Sequence, residues 1–548
     1  MRKILFAAGL SGLLSCMLFS CSVKNKADLI VFNGIIYTVD SAFTVSEAMA
    51  VSEGRIVAVG TTKHILDAYE AIVKKDLEGL PVYPGFIDAH CHFFYYGCQS
   101  LAADFTGSRS FDEVIERVVA FSKTNKFPWI LGRGWDQNDW EVKKYPTRQL
   151  LDSLFPNTPV VLSRVDGHAV LCNEAALNLA HITPQTKVSG GEILVEKGKL
   201  TGILIDNATA LVQNRIPPYS EALYRDALLY AQKNCFAAGL TTVSDAGLGK
   251  DSILLIDKMQ QEALLKIRVY AMVSDVEESV NYYLEKGPYK TERLDVRSIK
   301  MYGDGALGSR GACLLRPYSD TPKHSGFLLC DTAHMMALAQ KAYDRGFQLN
   351  THCIGDSAIR TVLNVYASVL KGKNQNRWRI EHSQVVNADD FDKYGAYDVI
   401  PSVQPTHATS DMYWAESRLG KERLKNAYAY EQLRMAAGGR IAYGTDFPVE
   451  NISPLLTFYA ATARKDLKGF PSGGFQAENK TSRENTLRAM TSWAAYAAFE
   501  ETEKGSLEPG SFADFVILDK DLMKIPLAGI PTVQVVSTYV GGEKVYGK

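Results

Sequence analysis

Two of the chain's ten histidines close the apolar run Pro84-Gly85-Phe86-Ile87-Asp88-Ala89-His90-Cys91-His92. Side chains alternate faces along a strand, so residues i and i+2 point the same way. On a strand, His90 and His92 aim two neutral imidazoles at one point, which is what a metal ion needs. Cys91, between them, faces the other side and is expected to pack behind the wall. A lone His-x-His motif is a weak signal. Its weight depends on whether further ligands stand at the ends of other strands.

Seven more runs rich in β-branched residues follow, at 240–245, 267–273, 297–303, 347–352, 378–382, 399–404 and 441–446. With 81–92 they make eight. Helix-patterned segments lie between most of them, for example 251–262, 332–345 and 357–370. Eight βα units imply an α/β fold, a parallel (β/α)8 barrel of TIM type. The C-terminal strand ends of such a barrel share one mouth. That mouth would collect His90, His92, Lys300, His352, His382 and Asp446.

The gap between His92 and Leu240 is too long for one crossover helix. Residues 105–215 are therefore expected to form an insertion after the first barrel strand, with a hairpin near 190–202. Outside the barrel (84–503), short strands occupy both ends of the chain. Asn33-Gly34 between two β-branched runs is a hairpin signal, and residues 48–60 repeat the pattern. Segments 513–519 and 533–546 look alike. These ends, 22–83 and 504–548, are expected to build one small β-sandwich.

With 60 basic and 61 acidic residues among 548, the net charge is -1. No basic tract exists to attract nucleic acid. Arg2-Lys3 followed by an apolar stretch to Ser20 reads as a signal peptide, 1–21. Leu18-Phe19-Ser20-Cys21 resembles a bacterial lipobox, with Leu13-Leu14-Ser15-Cys16 as a second candidate. The expectation is an exported lipoprotein, facing the periplasm or the cell surface, that meets the membrane only through an N-terminal lipid. Seven dispersed cysteines follow Cys21 without a Cys-x-x-Cys pair, so buried thiols are expected. A homo-oligomer is left open.

Five segments carry a more specific likeness: Pro84 to His92; Lys300-Met-Tyr-Gly-Asp304-Gly305-Ala-Leu-Gly308-Ser309-Arg310; His352-Cys-Ile-Gly355-Asp356; Arg379-Ile-Glu381-His382; and Gly444-Thr445-Asp446-Phe-Pro448. By these the chain resembles the amidohydrolase superfamily, in its family 3 (YtcJ-like) branch. The resemblance implies a divalent metal centre of one or two ions, usually zinc. It implies His90 and His92 on the buried metal, His352 and His382 on the outer one, and Asp446 binding metal and handling protons. It also implies a CO2-derived carbamate on Lys300 bridging two ions.

Zinc lowers the pKa of bound water to about 7 and so makes hydroxide available. Asp446 can take that proton and pass it to a leaving nitrogen. An unmodified ammonium on Lys300 would be repelled by two cations, whereas a carbamate is an anionic bridge. His168, in Asp166-Gly167-His168, His407, Arg310 and Trp135 are candidates to contact substrate. His64, His181, His324 and His334 fall off the strand-end pattern. The leading expectation is hydrolysis of a non-peptide C–N bond in a small molecule (amide, formamide or cyclic amide) by metal-activated hydroxide. Hydrolysis of an ester or lactone on the same site, and a non-catalytic ligand-binding lipoprotein, are the alternatives.

Overall fold

Eight buried parallel strands form the centre of the computed structural model, which describes residues 24–547 apart from 166, 189, 190 and 373 and the side chain of 206. The leader with Cys16 and Cys21 lies outside the described residues. Along the chain the strands are β1 Phe86–Cys91, β2 Leu240–Leu248, β3 Arg268–Ser274, β4 Leu294–Tyr302, β5 Gln348–Cys353, β6 Arg379–His382, β7 Ile400–Val403 and β8 Ala442–Tyr443. Each pairs in parallel with the next, from β1 to β8. Strands buried on both faces must be apolar throughout, which is why they read as continuous runs. Helices Lys250–Gln261, Thr332–Asp344 and Asp356–Leu370 lie between strands, each within a residue or so of the expected segment.

The seam between β8 and β1 is closed differently. Among the described residues no ladder joins these strands. The backbone N–H of Asp446 donates to His90 O at 2.8 Å, and His92 N–H donates to Phe447 O at 2.8 Å. The buried Asp88 carboxylate accepts from Thr445 N–H (3.1 Å) and from the Thr445 hydroxyl (2.7 Å). So the residues that seal the barrel are the residues beside the candidate ligands.

Two expectations are corrected. The run 81–92 is not one strand: Pro81–Pro84 belongs to a terminal sheet, where it pairs with Ile35–Tyr37 and Phe515–Leu518. Gly85 makes the break. A Cβ there would lie 2.3 Å from Thr241 Oγ1, so no side chain fits as the chain enters the barrel. Nor does Asn33-Gly34 form a hairpin. Asn25–Phe32 pairs with Ala48–Ser52 and Tyr69–Asp76, whereas Ile35–Tyr37 lies in the other terminal sheet. The turn is a corner between two sheets, with Asn33 in the left-handed region (φ 58°) that asparagine tolerates.

The four-stranded sheet takes its strands from the N-terminal part alone, and the six-stranded one draws on both ends of the chain. Val31, Met49, Val51, Val82, Phe515 and Ile517 bury against one another between them. Between β1 and β2 a six-stranded sheet runs from Ala103–Asp104 to Lys199–Asp206, with apolar clusters of its own. Among the described residues no helix is long and apolar enough to cross a membrane.

Candidate metal centre

His90 sits at the end of β1, fully buried. Its Nδ1 lies 2.5 Å from Glu381 Oε2 on β6, and Arg379 holds the same carboxylate through Nε (2.7 Å) and Nη2 (3.1 Å). Glu381 is thereby kept charged. Burial alone would raise its pKa, but Arg379 and His90 hold it well below the carboxylate range. An ionised acceptor on Nδ1 places the proton there and leaves the Nε2 lone pair free toward the barrel axis. His90 stays neutral: burial, with Lys300 nearby, lowers its pKa to about 4.

Asp446 is the hub. His92 Nε2 lies 3.1 Å and His90 Nε2 3.6 Å from its Oδ1, and His407 Nε2 lies 3.6 Å from its Oδ2. The residue is almost wholly buried, yet the contact with His92 above all keeps it well below the ordinary carboxylate range against the effect of burial. Asp446 and His382 both adopt positive φ (61° and 70°). Non-glycine residues in that region are strained, and such strain collects where surrounding structure dictates geometry for a purpose. At His382 the turn lets it face inward alongside Glu381, which strict strand alternation would forbid.

The potential ligand atoms fall into two triplets, His90–His92–Asp446 and His382–His407–Asp446, each lying within 4.8 Å of one another. His382 Nδ1 is 2.8 Å from Gln404 Oε1, which fixes its ring. His352 packs edge-on against His382 with ring centroids 4.4 Å apart, and its Nε2 is 3.9 Å from Asp304 Oδ1. That carboxylate is held by the N–H groups of Cys313, Ile354 and Gly355 (2.8–2.9 Å) and does not reach Lys300. Buried Nε2 atoms of His352 and His407 have no hydrogen-bond partner. Burial lowers the pKa of His352 to about 3 and that of His382 well below normal. Imidazoles gathered around one carboxylate, with His90, His352 and His382 held neutral by burial, fit a divalent ion.

Lys300 is fully buried at the end of β4, with Nζ 3.3 Å from His90 Nε2. Burial lowers its pKa to about 8, against the pull of Glu381 and Asp446.

The remaining candidates separate. His407 does more than line the mouth. Pro405 opens the helix Pro405–Asp411 directly after β7, and its first turn carries His407 back over Asp446 and against His382 (centroids 5.9 Å, nearly parallel). Trp135 offers no surface to a ligand: it is 1% exposed among Phe105, Val114 and Trp140, and its indole N–H donates to Leu162 O. The Arg310 guanidinium is tied to Asp320 (3.1 and 2.9 Å) and is not aimed at the cluster. His168 is exposed on the turn before Ala169–Cys172. Cys91 packs in the main core beside Cys235 and Val243, away from the imidazoles.

Three neighbours escaped the sequence reading. Glu381 and Gln404 were visible only as letters beside a histidine and a proline. Tyr302 stands two residues after Lys300, its ring 5.5 Å from His352 and 4.9 Å from Lys300 Nζ. It is 42% exposed, and its hydroxyl makes no hydrogen bond among the described residues.

Comparison with known proteins gives this arrangement its context. The model of the Amidohydrolase family matches residues 75–546. The chain belongs to the amidohydrolase family. It is 30% identical to the YtcJ protein of Bacillus subtilis (strain 168), over 94% of this chain and 98% of that one. It is 27% identical to an N-substituted formamide deformylase of Arthrobacter pascens, covering 94% and 97%. Among solved structures, an uncharacterized metal-dependent hydrolase from Pyrococcus horikoshii OT3 superposes with a TM-score of 0.77 at 28% identity, covering 91% and 99%. The family, the barrel and the two His/Asp groups together mark this amidohydrolase as a metal-dependent hydrolase.

Proposed function

We propose that the protein hydrolyses a non-peptide C–N bond, an amide, formamide or cyclic amide, at this centre. One observation carries the reading. A single ionised carboxylate, Asp446, is reached by His90, His92 and His407, so one proton carrier serves both ligand groups. The formamide deformylase likeness points the same way.

Imidazole nitrogens with one carboxylate suit zinc, with His90, His92, His382, His407, His352 and Asp446 as the available ligands. A divalent ion held there supplies Lewis acidity and lowers the pKa of a coordinated water. The other roles belong to the chain. Asp446 accepts a proton at a carboxylate oxygen during attack on the carbonyl carbon, then delivers it to the departing nitrogen, which leaves as an amine. Glu381 holds the His90 tautomer. Tyr302 donates its hydroxyl proton in a hydrogen bond to the substrate carbonyl oxygen, where negative charge develops. Neutral Lys300 Nζ would add to CO2, forming an N–C bond as a proton leaves to solvent, and the resulting carbamate anion would serve as a further ligand for a bound divalent ion.

An ester or lactone would meet the same groups. The distinction is that a poor nitrogen leaving group needs the proton from Asp446, whereas an alkoxide departs more readily. A panel of N-acyl, N-formyl and cyclic amides with matched esters decides it. Amides should be turned over, and Asp446→Asn should slow them far more than the matched esters; a panel hydrolysed only at esters would contradict the reading. We further propose export through the 1–21 leader with lipid on Cys21. Fatty-acid labelling that survives Cys21→Ser would refute that site.

A further inference from the structure

Strand Tyr69–Asp76 is the last of the four-stranded terminal sheet. Its inner edge pairs in parallel with Asn25–Phe32 along its whole length. Its outer edge has no partner among the described residues. Folded proteins normally blunt such an edge with short strands, bulges, inward charges or charged side chains such as the Glu70, Lys74 and Lys75 found here, because unpaired N–H and C=O groups recruit other strands. This one is eight residues long with a regular register, and its centre is apolar: Ile72 is 91% exposed and Val73 54%.

The order of side chains says what fits. By strand alternation Glu70, Ile72 and Lys74 share one face, and Tyr69, Ala71, Val73 and Lys75 the other. A second copy of the strand, antiparallel and related by a two-fold axis through Ile72, sets Ile72 against Ile72 and Glu70 against Lys74 twice over. On the other face it sets Ala71 against Val73. Shifting the axis to Val73 would put Glu70 against Asp76 and Ile72 against Lys74. Shifting it to Ala71 would put Glu70 against Ile72. Of these three registers, the one through Ile72 alone matches charge with charge and apolar with apolar. Directly opposed pairs of these kinds stabilise strand pairing, and like charges oppose it.

We propose that two copies of this protein join edge to edge through Tyr69–Asp76, fusing their four-stranded sheets into one continuous antiparallel junction. The contact is isologous, so it closes at two copies and does not run on into a fibre. It lies in the terminal sheets and contributes no residue to the metal centre.

The test is a charge swap read by light scattering, with a disulfide as a ruler. The wild-type protein is expected at twice the chain mass. Glu70→Lys, which sets lysine against Lys74, should shift it to one chain mass while its circular dichroism stays that of the folded chain. Combining Glu70→Lys with Lys74→Glu restores the complementary pairs and should restore the dimer. Across the two-fold, directly opposed Cα atoms lie about 4.5–5.5 Å apart, within disulfide reach. Ile72→Cys should therefore cross-link on mild oxidation. Lys75→Cys, some 20 Å from its copy at about 3.4 Å per residue, should not. A monomeric wild type, a double reversal that stays monomeric, or equal cross-linking at both positions would overturn the proposal.

Discussion

In the proposed reaction Asp446 carries the proton, and its neighbours set its state. Asp446→Asn keeps the shape and removes the proton carrier, so kcat should fall by about 10²–10⁴, measured by steady-state amide hydrolysis. Survival of near wild-type turnover would reassign the role. Glu381→Gln tests the support behind His90. Losing an outer partner of a ligating histidine typically costs 10–100-fold in metal affinity, which competition against a chelator reads directly. Lys300 has a pH signature. Its pKa is lowered to about 8 by burial, so the amine becomes more nucleophilic as pH rises through that value. Reactivation of metal-free protein by zinc and bicarbonate should be roughly tenfold slower for each unit below pH 8. Rates that do not vary with pH, or that need no bicarbonate, would argue against a carbamate.

The elements explain why some of this was legible in the sequence and some was not. Strand identity survives in composition, since buried parallel strands have no polar face to disguise them. Strand-end residues inherit a common mouth from the barrel itself, so His90, His92, Lys300, His352, His382 and Asp446 emerged together. What stayed hidden depended on breaks in regular geometry. Glu381 and His382 face inward together only because His382 leaves strand alternation. His407 reaches Asp446 only because a helix starts at Pro405. Asn33-Gly34 has the letters of a hairpin, yet the next strand finds its partners in another sheet. The β8 seam was hidden too, and it makes its own prediction. A Cβ on Gly444 would lie 2.5 Å from His90 N and 2.7 Å from His90 O. Gly444→Ala must push β8 off β1 just where His90 and Asp446 meet. It should cost about 1–3 kcal/mol, as overpacking does, in a urea titration, and should weaken metal binding as well. An unchanged midpoint would mean that the seam yields without strain.

At the scale of the whole molecule, a buried ion pair helps to join barrel and terminal sheets. Arg268 on β3 binds Asp514 through Nε (2.7 Å) and Nη2 (3.0 Å), while its guanidinium stacks 3.7 Å from the Phe512 ring centroid. Asp514 stays below its ordinary range although burial opposes this, because Arg268 and the Gly541 N–H hold its charge. Arg268→Ala strands a buried carboxylate, which costs about 3–5 kcal/mol in comparable sites and should lower the thermal midpoint sharply while leaving the two His/Asp groups untouched. The barrel thus keeps its metal centre at one end and is braced by the terminal sheets elsewhere. The central claim is that this centre hydrolyses C–N bonds only when metal is bound. Chelator-stripped protein, assayed for amide and formamide hydrolysis as zinc is added back, tests it most directly. At least one equivalent of zinc should bind per chain, and turnover should return in proportion to it. Less than one equivalent bound under replete conditions, with no hydrolysis restored, would contradict the account.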